Sequence, residues 1–264
     1  MARRLFEGIQ HAQAYAQFRP TPPSSLIEEI VSKVPTRNLA VDVGCGTGQN
    51  TCVLSPHFTQ VIGIDISDAQ IETAKQEHKE LTNIQFKVGP GEILPFEDHS
   101  VDLLTCCQAV HWMDFEAFYK EVDRVLKPKV GCLALYGYTR PKVLDAEKGQ
   151  PIQDLQNKIY FDTLDKYWSP EIHHVNQEYR TIPQPNYPEV IRCDQHYSDV
   201  QGSIHDVAGD IETWSAFQKY KKVHGDEAAS AIVTEFLEES KKIMGGQVEA
   251  TLRAQYFMLL ACKP

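Results

Sequence analysis

The sequence predicts an α/β fold: a mostly parallel sheet with helices on both faces, an antiparallel closing strand and a helical cap insertion. Three observations predict it. Five short apolar segments alternate with helical patterns between residues 39 and 136. A glycine cluster follows the first of these segments directly. A last segment, 247–262, alternates and then becomes continuously apolar, as a strand completing a sheet does.

The elements follow in order. Residues 24–34 read as a helix with Leu26, Ile27, Ile30 and Val31 on one face, a capping box from Ser25 and Glu28, and Pro35 as its stop. Residues 39–43 are a buried strand that runs into Gly44-Cys45-Gly46-Thr47-Gly48, and a short helix starts near Gln49. Residues 61–65 form a second strand ending in Asp65; Ser67 caps the next helix, with Gln70 three positions on. Strands three to five are 84–88, 101–106 and 130–136. Between the last two lies a helix over 115–126, with Phe115, Phe118, Val122, Val125 and Leu126 on one face and Pro128 at its end.

The alternation breaks after residue 139. Residues 151–168 look helical, and 169–188, with four prolines, read mainly as loop. A strand is expected over 190–197, a helix over 203–220, and an amphipathic helix over 226–243 that ends at Gly245-Gly246. One domain spans 1–264: a cofactor-binding half over 36–139, a cap or substrate insertion over about 140–190, and a sheet-completing part over 191–264.

A chain of 264 residues is large enough to fold without disulfides or metals. Its formal charge of -10 argues against general nucleic-acid binding, which needs clustered Lys and Arg. Seven cysteines, an odd number with no C-x-x-C pair, suggest reduced thiols and a cytoplasmic protein. The adjacent Cys106 and Cys107 read as a buried strand end. No apolar run approaches ~18 residues, so no membrane partner is expected. His173 and His174 near Glu171 lack metal-ligand spacing, and no metal is expected.

The chemistry is carried by Asp42-Val43-Gly44-Cys45-Gly46-Thr47-Gly48. Glycines let the backbone turn tightly and approach a ligand. The third glycine comes one position earlier than in a dinucleotide fingerprint. An acid about 20 residues further on, Asp65, reaches ribose hydroxyls from the neighbouring strand end. The D-x-G-x-G-x-G form resembles motif I of class I S-adenosylmethionine methyltransferases, whose Rossmann-like sheet matches the pattern above. The resemblance implies S-adenosyl-L-methionine as cofactor, with Asp42 near its cationic groups and Gly44, Gly46 and Gly48 around it. It also implies Asp65 and Ile66 at the ribose.

Gly89-Pro90-Gly91-Glu92 resembles the family's adenine segment, with Pro90 in place of the family acid. Gly91 and Glu92 are therefore carried over as cofactor contacts. Gln108-Ala109-Val110-His111-Trp112 resembles the "Q-A-x-H-W" segment of the type-11 group, trans-aconitate methyltransferase relatives included. Tyr15-Ala16-Gln17-Phe18-Arg19-Pro20 resembles that group's lead-in, and Thr213-Trp214-Ser215 a later "T-W-S" segment.

On this resemblance Tyr15 and Gln108 contact cofactor, and His111, Trp112, Tyr136 and Trp214 contact substrate. His111 is the candidate catalytic residue, either orienting the acceptor or acting as base. The expected activity is methyl transfer to a small molecule, as O-methylation of a carboxylate or other small acceptor. The alternatives are C-methylation of a quinone or sterol precursor, and a cofactor-binding protein without turnover. The oligomeric state stays open.

Overall fold

The computed structural model describes residues 18–264, so Tyr15 lies outside the described residues. Helix α1 (Ser24–Ser32) precedes β1 (Leu39–Val43), α2 (Gln49–Leu54), β2 (Gln60–Asp65), α3 (Asp68–Glu77), β3 (Ile84–Val88), β4 (Leu103–Cys107), α4 (Phe115–Val125) and β5 (Cys132–Tyr138). The second half holds β6 (Lys142–Val143), α5 (Gly149–Asn157), α6 (Ile172–Asn176), β7 (Val190–Ser203), α7 (Ile204–Thr213), α8 (Ser215–His224), α9 (Asp226–Ile243) and β8 (Glu249–Cys262).

The strands form one sheet in the order β3-β2-β1-β4-β5-β8-β6, with β7 on the other side of β8. β1 to β5 pair in parallel; β8 pairs antiparallel with β5, β6 and β7. The order therefore reverses between β1 and β4. In open α/β sheets ligands bind at such a switch point, beyond the carboxyl ends of the strands.

Two-residue periodicity sends neighbouring side chains to opposite faces. Ala40, Val61, Leu103 and Ala134 join Leu26, Ile27 and Ile30 of α1 on one face. Val41, Ile62, Leu104 and Leu133 join Phe118, Val122 and Val125 of α4 on the other. Burying each of these large side chains stabilises by about 1.5–3 kcal/mol. A third cluster unites two distant stretches, Ile152, Ile159 and Tyr160 with Ile211, Trp214 and Phe236. It stands over the carboxyl edge of β4 and β5, so helices from both 149–176 and 204–243 cover the cleft.

Several expectations are corrected. Ser25 does not cap α1, whose N-cap is Pro23 without a side-chain bond; Ser25 Oγ meets His196 Nδ1 at 2.9 Å instead. The helix expected over 151–168 ends at Asn157 and widens into a π-helical turn, Lys158–Thr163. The helix expected over 203–220 is two, because Trp214 takes an extended conformation between them (φ -65, ψ 135). β7 runs on to Ser203 because it has β8 to pair with along that length. The thiols are not all reduced. Cys132 and Cys262 face each other in the β5–β8 register and form a disulfide across a separation of 130 residues. Sequence spacing alone carries no sign of such a pairing. Cys106 is buried and free.

Candidate active site

The loop after β1 is held from below. Asp42 is 0% exposed. Its Oδ1 accepts from Asn50 Nδ2 at 2.6 Å and Thr105 Oγ1 at 2.9 Å, and its Oδ2 from Thr51 Oγ1 at 2.7 Å. Burial pushes its carboxyl up to about 6, against the opposing pull of those three bonds. Asp42 thus ties β1 to α2 and β4, with both carboxylate oxygens turned to protein donors and away from the cleft beside the glycine loop, whereas direct cofactor contact was expected. Tyr136 is corrected in the same way: it is fully buried, its hydroxyl donates to Asn50 Oδ1, and it lines neither ligand cavity.

Gly44 has φ +69, and a Cβ there would sit 2.3 Å from Ala109 Cβ. Only glycine fits this close approach of the β1 and β4 loops. Gly48, with φ +90, starts α2 and packs on Phe86; it shapes the turn without lining a ligand cavity. The Gly46 N–H donates to Asp65 Oδ2 at 2.9 Å, and the Ser67 N–H to Asp65 Oδ1 at 2.9 Å. Burial raises the Asp65 carboxyl above its usual range, while these backbone donors and Ile66 pull it down. A carboxylate has about four lone-pair sites, so capacity remains toward the cleft.

A cleft of about 100 Å³ lies above this edge, lined by Gly44, Gly46, Asp65, Ile66, Gly91, Glu92, Gln108 and Trp112. Glu92 Oε1 accepts from the Asp114 N–H at 3.1 Å, which fixes the floor of the cleft to the start of α4. Pro90 and Met113 complete an apolar wall. A smaller recess of about 40 Å³, with Arg19, Gly44, Gly46 and Tyr138, adjoins the glycine loop. An acid at the second strand end, apolar walls and exposed loop backbone fit a nucleoside joined to an amino acid.

A second cavity of about 190 Å³ adjoins the first, and Gln108 and Trp112 border both. Gln108 has φ +56. Its Oε1 accepts from the Tyr138 N–H at 3.0 Å, and its Nε2 donates to the Tyr138 carbonyl at 3.3 Å. His111 is 3% exposed, meets the Tyr179 hydroxyl through Nδ1 at 3.1 Å, and lies 4.6 Å from the Trp112 ring centre. Burial, with His174 second, pushes its pKa down to about 3, so the imidazole is neutral near pH 7.

The cap supplies the far wall. Trp214 donates through Nε1 to Asp210 Oδ2 at 2.9 Å, and Arg19 Nε lies 3.7 Å from Asp210 Oδ1. The Arg140 guanidinium sits 4.2 Å above the Tyr160 ring and 5.2 Å from the Phe161 ring. Its Nη2 donates to Asn157 Oδ1 at 3.0 Å, whereas its buried Nη1 has no partner among the described residues.

Arg140, Tyr138, Tyr160 and Asp210 line this cavity and were not among the residues expected from the sequence. Arg140 carried a weak signal, being a cation just beyond the fifth strand. The others carried none, because the cap that presents them is assembled from separate stretches. Trp112 and Trp214, expected at the substrate, line the cavity.

A parallel sheet with this switch-point cleft, an acid at its second strand end and a covered cavity beside it define a nucleoside-cofactor transferase. Residues 41–134 match the family described as a methyltransferase domain, type 11. The chain is 30% identical over 254 residues to a Dictyostelium discoideum protein described as a methyltransferase; the match covers 96% of this chain and 93% of that one. It is 34% identical over 142 residues, 51% of this chain and 61% of the relative, to a demethylmenaquinone methyltransferase of Staphylococcus saprophyticus. A solved structure from Anaeromyxobacter dehalogenans, described as a type II methyltransferase, superposes with TM-score 0.72 at 27% identity, covering 92% of this chain and 97% of that one. The chain belongs to this methyltransferase family, and its cofactor is S-adenosylmethionine. Among the described residues no helix is long and apolar enough to cross a membrane.

Proposed function

We propose that this methyltransferase acts on a small anionic acceptor, a carboxylate, and forms its methyl ester. The observation that carries this reading is Arg140. A half-buried cation, whose enclosed Nη1 has no partner among the described residues, lines the second cavity. Burial holds its pKa below the usual arginine value. A buried charge is costly until it is paired, and Arg matches a carboxylate in planar, two-pronged geometry. The resemblance to the trans-aconitate group supports the same acceptor chemistry.

Bound S-adenosylmethionine supplies a methyl group on a positively charged sulfur that is already a good leaving group. The protein's work is then positioning and exclusion of water. Asp65 and Ile66 hold the ribose, Gly91 and Glu92 border the adenine, and Gly44 and Gly46 meet the amino-acid end. Arg140 anchors the acceptor, and neutral His111 orients it. A carboxylate is ionised near neutral pH and needs no base.

The aromatic wall of Tyr160, Phe161 and Trp214 and the demethylmenaquinone relative favour a second reading, carbon methylation of an aromatic precursor. A transfer assay with methyl-labelled cofactor and fractionated metabolite extract decides. Transfer is expected when the anionic fraction supplies the acceptor. Transfer only when the neutral lipid fraction supplies it overturns the carboxylate reading in favour of the second. Cofactor binding with no transfer to any fraction points to a protein without turnover.

A further inference from the structure

β7 carries a bulge that serves no purpose in the methyl-transfer site. Cys193 pairs with Met258 and His196 with Tyr256, so three steps on β7 oppose two on β8. In a regular strand, residues three apart point to opposite faces. The extra residue brings Cys193 and His196 to the same face, and re-aiming a side chain is what bulges do. Both turn toward α1, where Glu29 waits. His196 Nε2 lies 2.7 Å from Glu29 Oε2, and Cys193 Sγ lies 3.5 Å from the same oxygen. All three ligand atoms fall within 4.8 Å of one another, the one such group among the described residues.

We propose that Cys193, His196 and Glu29 form a binding site for a zinc-type divalent cation. Thiolate, imidazole and carboxylate are the three ligand types such an ion takes. At bond lengths of about 2.0–2.3 Å, tetrahedral ligands stand about 3.3–3.7 Å apart. The sulfur–oxygen distance already fits. The His196–Glu29 distance must open by about half an ångström, and Glu29 is the member free to move, with 29% of its side chain exposed on α1. The second ring nitrogen is also prepared. His196 Nδ1 lies 2.9 Å from Ser25 Oγ, and a metal-ligating histidine usually fixes its other N–H on such an acceptor.

Burial and the neighbouring Glu29 raise the Cys193 thiol, so the metal-free site holds a protonated sulfur. Binding releases that proton to solvent, and affinity rises with pH. The bound ion joins α1 to β7, and so links the segment beginning at Arg19 to the far edge of the sheet.

Cobalt(II) titration of the full, tag-free chain tests this, read by the near-ultraviolet band of a cobalt–thiolate bond. One equivalent with that band is expected. Cys193→Ala and His196→Ala should abolish the band, with S-adenosylmethionine affinity unchanged as the check on folding. Ser25→Ala changes an exposed helix residue; it should weaken binding about 10–100-fold while keeping the band. Should the two ligand variants fail to fold, Ser25→Ala and Glu29→Gln still decide, since both should weaken binding. No band in the parent chain, a band that survives Cys193→Ala, or unaltered affinity in both Ser25→Ala and Glu29→Gln overturns the proposal.

Discussion

Asp65 Oδ2 accepts the Gly46 N–H at 2.9 Å, so the acid proposed to hold the ribose also holds the glycine loop in shape. The two functions are lost together. Asp65→Ala removes bonds of about 1.5–3 kcal/mol each from the bound cofactor, and its affinity should fall at least about tenfold. It also leaves the Gly46 and Ser67 N–H groups without their acceptor, so the cofactor-free protein should lose about 1–3 kcal/mol. Calorimetry and denaturant unfolding measure the two effects. Lost affinity at unaltered stability would mean that the loop holds its shape without Asp65.

Gly44→Ala should be more damaging than its one added methyl suggests. The new Cβ meets Ala109 Cβ at 2.3 Å, and the residue must keep φ +69. Left-handed strain of about 1–3 kcal/mol adds to the clash. Thermal unfolding should show a clear loss of stability, and S-adenosylmethionine binding should weaken as the β1 and β4 loops part. A variant that melts and binds like the parent would refute the close packing.

His111 should act as a neutral orienting group. Its folded pKa of about 3 lies below the unfolded value near 6.5. Between these values the unfolded chain holds the extra proton, so stability falls as pH drops from about 6.5 toward 3. His111→Gln removes that contribution. The variant should lose less stability than the parent between pH 7 and pH 5, by on the order of 1–2 kcal/mol. In turnover, the variant should raise acceptor KM more than it lowers kcat, and the parent rate should show no ionisation of His111 above pH 6. A rate that climbs through one ionisation in the parent and loses it in the variant would make His111 a base.

Much of this was legible beforehand. Gly44, Gly46 and Asp65, read from order and spacing, and His111, read from the resemblance, line the two cavities, because a βα turn and a strand end fix their own local geometry. Long-range closure was not legible. Tyr136 was expected at the substrate, yet the fifth strand, read as ending there, runs two residues further and Tyr138 lines the cavity instead. Asp42 was taken as a ligand contact, although its oxygens are consumed by Asn50, Thr51 and Thr105. Arg140 and Asp210 meet only after two cap segments fold together. Cys132 and Cys262 meet only through the closing strand.

Arg140→Gln should separate acceptor binding from the rest of the site. One charge-assisted contact is worth about 1.5–3 kcal/mol, so acceptor KM should rise roughly 10–100-fold while cofactor affinity holds. Arg140→Lys should not restore it, since lysine lacks the planar fork. Steady-state kinetics with the identified acceptor checks this, and an unaltered KM in both variants would remove Arg140 from the acceptor site.

The most direct measurement is the alkali stability of the methylated product. A methyl ester hydrolyses in dilute base and releases the label as volatile methanol. Carbon and nitrogen methylation survive the same treatment. Labelled product from the extract assay should therefore lose its methyl group to the vapour phase on mild alkaline hydrolysis. Label that stays with the product would contradict carboxylate methylation.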